Sequence, residues 1–415
     1  MRVVEPHEFR GVKHPQKQKR THKLRFTIGV VAILYVVISF ARPLPVITAH
    51  ATAITPLQSK NVQINWPATG QAAIGAVGYG MLGTHGEQKA LPTASVAKVM
   101  TALAVLKQRP LQPGQQGPTI KITQEDINYY QKVVSEDGSN VPIALGEEIT
   151  EYEALQALLL PSANNMAYTL ARWAYGSEKE YTTFINSFAK TLGMNSAHFE
   201  DASGFSPDTV SNSEDLARLA VNAMDNPVIA EIAAQQEATI PVAGTIYNVN
   251  MLLGKDGIVG VKTGNTDQAG GCFMAAAKRT INGQPVVAVS VVMGADNLSQ
   301  ALRDSVPLIH SVLNGFEHVT LVKAGQTVGS YKVPWGNTVE VKVKQDVTGI
   351  VWRGSEAKPV IAFKSLTNVR TNIPAQSEVG RAEINFGRDQ MSSPLITGGN
   401  IPPPPLLWRF KPRLA

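Results

Sequence analysis

The sequence of 415 residues predicts an α+β protein, a large mixed domain followed by a small all-β domain. Three observations carry that expectation. Apolar residues recur at helical spacing in three segments between residues 95 and 175. Three strand patterns joined by short turns follow between residues 258 and 293, a spacing that implies antiparallel pairing. From Glu317 onward short strand patterns continue without a convincing helix. The length allows two or three domains, each able to bury a core.

Residues 1–25 read as a basic cytoplasmic leader, with eight basic and two acidic side chains. The rest of the chain then holds 30 basic and 30 acidic residues, so the pI near 9.2 comes from the leader and no nucleic-acid partner is expected. Phe26–Ala41 is an uninterrupted apolar run of 16 residues that continues weakly through Leu44–Ile47. Residues 26–47 therefore read as a signal-anchor or signal peptide, with the N-terminus inside and the rest exported. Ala49-His50-Ala51 and Ala51-Thr52-Ala53 offer small-residue cleavage sites, whereas the long basic leader favours an anchor with the membrane as partner. Residues 48–60, rich in Pro, Thr and Ala and without periodicity, read as a linker.

The catalytic candidate spans 61–317. Ala72–Met81 reads as a strand with glycine interruptions. Ser95–Leu106 reads as a helix with Val99, Met100, Leu103 and Leu106 on one face. Glu151–Leu160 is a helix stopped by Pro161, and Asn165–Tyr175 one closed by Gly176. Ile258–Gly264, Cys272–Ala277 and Val286–Met293 are the three strands. The lone Cys272, in an apolar run, reads as a buried structural thiol. Thr320–Lys323, Val328–Val333, Thr338–Val343, Thr348–Trp352 and Val360–Phe363 place a β domain at 318–390. Residues 391–415, with four consecutive prolines before a basic, aromatic tip, read as a tail.

Three motifs carry chemistry: Ser95-Val96-Ala97-Lys98, Ser162-Ala163-Asn164 and Lys262-Thr263-Gly264. The first pattern is weak alone, since Ser187–Lys190 and Ser355–Lys358 match it equally. Context separates the copies. Ser95 stands at a helix start, with free backbone N–H groups and a dipole suited to developing negative charge. Lys98 falls one turn on. Ser187 lies mid-helix, where a hydroxyl back-bonds to the preceding turn, and Ser355 lies between strands. A serine needs a base, and lysine serves only when neutral, a state favoured by burial and by a neighbouring cation such as Lys262. Lys262 and Thr263 suit a carboxylate, and Gly264 permits close backbone approach. Taken singly, Ser162 and Asn164 read as helix caps and Lys262 as an exposed lysine on an edge strand. His198-Phe199-Glu200 lacks metal-ligand spacing, so no metal or cofactor is expected.

The words around the motifs resemble the serine-type D-alanyl-D-alanine carboxypeptidases, the low-molecular-mass penicillin-binding proteins (peptidase S11-like). Leu91–Leu103, Leu158–Ala167, Gly193–Gly204 and Gly260–Gly270 are similar to four successive segments of that family, and Val319–Gly354 to its C-terminal β domain. The resemblance covers about residues 61–390. It implies a β-lactamase/transpeptidase-like domain, an antiparallel sheet flanked by helices plus a helical subdomain, ahead of the β domain. It implies Ser95 as acylated nucleophile, Lys98 as base and Ser162 as proton relay. It also implies Asn164, Lys262, Thr263, Gly264 and Asn265 as substrate-binding residues, with the N–H groups of Ser95 and Asn265 as oxyanion hole. The partners implied are a peptidoglycan stem peptide, which loses its terminal D-Ala, and β-lactams as covalent inhibitors. Asn165 stands where many relatives carry Asp, and Asn265 where histidine is frequent. A β-lactamase-like hydrolase would need a deacylating glutamate in a loop between the second and third motifs; Glu200 and Glu214 occur there, but neither sits in a segment resembling that loop. A non-catalytic cell-wall-binding protein on the same fold is the other alternative.

Overall fold

A computed structural model describes residues 17–356, 358–386 and 389–411. Most of the basic leader, residues 1–16, and the tail's last residues, 412–415, lie outside the described residues.

A helix runs from Lys17 to Ala41, and its His22–Ala41 portion is long and apolar enough to cross a membrane. Its apolar side chains are exposed from Phe26 to Phe40. The helix ends at Ala41, short of the bound at 47 expected for a signal-anchor or signal peptide. Pro43 and Pro45 bar helix beyond Arg42; Leu44 is buried, and Ile47 joins the core of the C-terminal domain. Ile47 exchanges both backbone hydrogen bonds with Leu366 at 3.0 Å. The expected linker at 48–60 is likewise corrected. Ala49–Ala51 forms a strand antiparallel to Thr327–Lys332, and Thr52 N donates to Val328 O at 2.9 Å. An added edge strand is held by backbone groups, so small residues without a periodic apolar pattern suffice.

The body is a five-stranded antiparallel sheet in the order Ile258–Thr266, Gly270–Ile281, Gln284–Ala295, Gln71–Ala76, Gly80–His85. The glycines at 78 and 80, both at positive φ, form a turn, so the single strand expected at 72–81 is a hairpin. The central strands bury both faces, which explains their unbroken apolar runs. Along the second strand Cys272, Met274 and Ala276 face one core, while Phe273, Ala275 and Ala277 face another. The helix Leu298–Asn314 packs on the latter face. The former face carries the helix Ser213–Asp225 and, beyond it, a helical group comprising Lys98–Gln108, Glu151–Leu159, Asn164–Tyr175 and Glu178–Thr191. Thr150 and Glu153 close a capping box at the start of the second of these, and Pro161 follows its end. Gly176 at φ 90° closes the third.

The C-terminal domain pairs Phe316–Val322 with Val347–Trp352. Beside this lies a six-stranded sheet in the order Ala49–Ala51, Thr327–Lys332, Thr338–Val343, Asp389–Thr397, Glu378–Phe386, Val360–Phe363. The tail expected from residue 391 thus begins too early, because Asp389–Thr397 is an interior strand. Its Ser-Ser-Pro interruption hides it from a pattern search, yet Pro394 is tolerated there because its carbonyl still accepts from Lys344 N at 2.9 Å. After the prolines, Leu406–Arg409 makes one helical turn, with Trp408 edge-on to Trp335 at 5.0 Å.

Candidate active site

The turn before the helix Lys98–Gln108 packs on the edge strand Ile258–Thr266, and the helix Asn164–Tyr175 packs on Lys98–Gln108. Ser95 sits in a 3-10 turn over Ala94–Ala97 that leads into the first helix. That turn opens with Ala94 at φ 47°, a left-handed conformation that costs a non-glycine residue about 1–3 kcal/mol. Such strain is held only where the surroundings fix the chain.

Lys98 is fully buried, and its Nζ donates to Ser95 Oγ at 2.8 Å and to the Ser203 carbonyl at 2.9 Å. Burial drives its pKa well below the ordinary lysine value, and the charge of Lys262 adds to the fall; Asp201 opposes both. The neutral amine is thereby favoured, as a base requires. Lys262 is itself 1% exposed, and burial brings its pKa to about 7. Its Nζ donates to the Thr263 carbonyl at 3.2 Å. An incoming carboxylate would supply the counter-charge that this buried cation lacks.

Gly264 lies against the turn that carries Ser95. A side chain there would meet Thr93 O at 3.1 Å, Ala94 Cβ at 3.2 Å and Ser95 N at 3.3 Å. The backbone that approaches closely is the nucleophile's own turn. Thr263 is buried, and Asn265 is exposed at the end of the strand.

Ser162 is 5% exposed, adopts φ 67°, and its Oγ has no hydrogen-bond partner among the described residues. A buried, unpaired hydroxyl held in a strained conformation is expensive unless a substrate completes it. Asn164 is buried at the start of the helix Asn164–Tyr175, and its N–H donates to Ser139 O at 2.7 Å. Asn165 clamps Val141: its Oδ1 accepts from Val141 N at 3.1 Å and its Nδ2 donates to Val141 O at 3.0 Å. An ionised aspartate there could make only the first bond.

Sequence reasoning missed the group behind Lys98. Asp201 accepts from the N–H groups of Ser203, Gly204 and Phe205, each at 3.1 Å, and from Thr209 Oγ1 at 2.6 Å. It thereby fixes the Ser203 carbonyl that receives Lys98. Gly204 at φ +74° packs directly under Ala94, where a Cβ would collide with the Ala94 carbonyl. The signal was present as Asp-Ala-Ser-Gly at the end of the Gly193–Gly204 segment, but a carbonyl acceptor has no side-chain signature.

The remaining candidates lie elsewhere. Ser187 is within the helix Glu178–Thr191 and Ser355 in the turn after the strand Val347–Trp352. The thiol of Cys272 is buried and pushed up to about 12, which leaves it inert. His198 pairs with Glu200 at 3.3 Å on the exposed surface, and Glu214 pairs with Arg218 at 2.7 Å. Both glutamates proposed for deacylation are thus engaged in other contacts. Among the described residues, no His/Cys/Asp/Glu cluster suited to a metal is found.

A serine hydrogen-bonded to a buried lysine, beside a second buried lysine on a sheet edge, defines a lysine-assisted serine acyl-transfer enzyme. The family profile of D-alanyl-D-alanine carboxypeptidase matches residues 77–297, and that of the penicillin-binding protein 5 C-terminal domain matches residues 316–402. The chain belongs to the D-alanyl-D-alanine carboxypeptidase family of serine peptidases, enzymes that act through a serine acyl-enzyme and bind β-lactams. It is similar to the D-alanyl-D-alanine carboxypeptidase DacF of Bacillus subtilis, with 26% identity over 70% of this chain and 73% of that one. It is also similar to a D-alanyl-D-alanine endopeptidase of Escherichia coli, with 31% identity over 48% of this chain and 62% of that one. Penicillin-binding protein 5 of Haemophilus influenzae shares the fold, with a TM-score of 0.57 at 20% identity over 83% of this chain and 99% of that one. The family's action on the cell wall places its members outside the cytoplasm.

Proposed function

We propose that Ser95 is the acylated nucleophile of a D-Ala-D-Ala carboxypeptidase acting on peptidoglycan stem peptides. The observation that carries this reading is the 2.8 Å hydrogen bond from Lys98 Nζ to Ser95 Oγ, with burial first and the charge of Lys262 second holding down the lysine's pKa. Neutral Lys98 takes the serine proton as Oγ attacks the penultimate D-Ala carbonyl. The N–H groups of Ser95 and Asn265 receive the oxyanion, each donor contributing about 3 kcal/mol to the transition state in comparable sites. Ser162 passes a proton to the leaving D-Ala amine, and Asn164 holds the peptide backbone. Lys262 and Thr263 bind the terminal carboxylate, and Gly264 keeps the nucleophile turn against their strand. Water then hydrolyses the ester with Lys98 again as base. β-Lactams follow the first half of the same path on Ser95.

The domain arrangement we propose is a catalytic domain over about 61–317 and a β domain that takes in Ile47, Ala49–Ala51 and the strands through Thr397. The anchor is read as retained. A cut at Ala51 or Ala53 would remove Ile47, which is 2% exposed, together with the strand on Thr327–Lys332. Such a retained helix would tie the enzyme to the outer face of the cell membrane through its β domain.

The test is release of D-Ala from a soluble stem-peptide mimic ending in D-Ala-D-Ala. The expected result is stoichiometric D-Ala, with loss of activity as pH falls and Lys98 protonates. Absence of release, with intact folding, would favour a non-catalytic wall-binding protein. Release of cross-linked partner peptides in preference to D-Ala would favour an endopeptidase. Mass measurement of the protein recovered from membranes tests the anchor, with the leader's mass expected to be present.

A further inference from the structure

A second cleft lies across the sheet from Ser95, outside everything the catalytic reading uses. It is a space of about 680 Å³ between the helix Leu298–Asn314, the strap Asn61–Asn65 and the end of the strand Val347–Trp352. Its walls include Asn61, Gln63, Asn65, His310, Asn314 and Arg353. A smaller space of about 240 Å³ shares His310 and Asn314 and adds Lys278, Arg279 and Asp256. The larger volume falls in the range of ordinary ligand sites, about 300–1,000 Å³.

The chemistry of the lining is unusual for a seam between domains. Among the described residues, no carboxylate lines the larger cleft, and Asp256 is the one carboxylate lining the smaller. Against it stand the cations of Arg353, Lys278 and Arg279. Arg353 is held in place on three sides: its N–H donates to Gly315 O at 2.9 Å, its carbonyl accepts from Lys60 N at 2.7 Å, and its Nη2 donates to Asn314 O at 2.8 Å. Yet its Nε is buried without a partner among the described residues. A lining donor left unsatisfied is a costly state that an acceptor-bearing ligand would relieve. Arg279 Nη1 donates to Asn314 Oδ1 at 3.1 Å, and His310 Nε2 meets the Asp256 carbonyl at 3.2 Å, so these walls are ordered too.

Carboxamide side chains offer a donor and an acceptor each, which suits hydroxyl and N-acetyl groups, and guanidinium groups suit carboxylates. We propose that this cleft is a secondary binding site for an amino-sugar glycan bearing carboxylates. The inference rests on the proposed function, since it makes the ligand the glycan strand of the same wall polymer whose stem peptides reach Ser95. A second site across the sheet would hold the enzyme on an insoluble polymer between turnovers, raising the effective concentration of stem peptides.

The test uses the full chain in detergent with Ser95→Ala to prevent turnover, and measures co-sedimentation with purified peptidoglycan. Arg353→Ala, Arg279→Ala and Asn65→Ala are each placed in that background. Loss of one charge-assisted hydrogen bond should weaken binding about tenfold for Arg353→Ala. In the Ser95 protein the same substitutions should leave D-Ala release from a soluble mimic unchanged while lowering release from intact peptidoglycan. Should Arg353→Ala not fold, judged by circular dichroism, the other two variants carry the test. Undiminished sedimentation of the folded variants overturns the proposal. So does binding that transfers to poly(glycerol phosphate) but not to a peptide-free amino-sugar glycan. Failure of the catalytic reading is seen separately, as absence of D-Ala release by the Ser95 protein on the soluble mimic.

Discussion

Gly264→Ala isolates the contact between the carboxylate-binding strand and the nucleophile turn. Gly264 is not among the residues with positive φ, so an alanine meets only a space problem. The new methyl would stand 3.1 Å from Thr93 O, 3.2 Å from Ala94 Cβ and 3.3 Å from Ser95 N, each of which must retreat by a few tenths of an ångström. All three belong to a turn already strained at Ala94, so the adjustment moves Ser95 rather than vanishing into a flexible side chain. Overpacking of this kind costs about 1–3 kcal/mol of stability. A displacement of about 1 Å costs about 100-fold in rate, so a few tenths predict a loss near tenfold in acylation. The assay compares the second-order rate of labelling by a small penicillin with kcat/KM on a stem-peptide mimic, alongside thermal unfolding. Both rates should fall together, because the nucleophile has moved. Loss confined to the peptide would refute the reasoning and return Gly264 to the role of admitting a substrate strand. Wild-type rates for both would show that the turn is not packed on Gly264 at all.

Three further substitutions probe buried polar groups. Lys262→Met should raise the Lys98 pKa by removing a neighbouring charge, moving the acid limb of the penicillin-acylation profile to higher pH. Lys262 has a folded pKa near 7, below its unfolded value of 10.5, so its burial penalty grows as pH falls from 10.5 to 7; the same variant should therefore unfold at higher temperature at pH 7 while losing activity. Glu151 is buried with neither carboxylate oxygen partnered among the described residues, and burial raises its pKa to about 7. Its raised pKa costs stability progressively from pH 4.5 to 7, so Glu151→Gln should gain about 1–3 kcal/mol above pH 7, allowing for solvent screening, and nothing near pH 4; a gain independent of pH would contradict this. Asn165→Asp should cost about 1–3 kcal/mol at neutral pH in denaturant unfolding, because the Val141 carbonyl loses its donor, and unchanged stability would show that the clamp is dispensable.

The sequence made the core of the site legible because its chemistry resides in side chains at short fixed spacings. Ser95 and Lys98 lie one turn apart, and Lys262 follows a strand pattern that any buried edge would produce. The three-strand succession after residue 258 was legible for a similar reason: Asn282-Gly283 and Gly270-Gly271 mark its turns. What escaped was held by backbone. The Ser203 carbonyl behind Lys98 is such a case, as is the strand Ala49–Ala51, whose small residues advertise nothing. The strand Asp389–Thr397 was hidden by serines and a proline that its neighbours accommodate. That Gly264 packs on the nucleophile turn was not legible, because a glycine announces close approach but never its partner. Neither the left-handed Ser162 nor Ala94 could be read from residue type, since strain at these positions is imposed by packing far along the chain.

The central claim is that Ser95, alone of the three serines followed at the third place by lysine, is acylated with Lys98 as its base. Labelling by a fluorescent penicillin tests it most directly, comparing Ser95→Ala, Ser187→Ala and Ser355→Ala in the full chain. Ser95→Ala should abolish labelling, and the other two variants should label like the parent. Labelling that survives Ser95→Ala, or disappears with Ser187→Ala or Ser355→Ala in a folded protein, would contradict it.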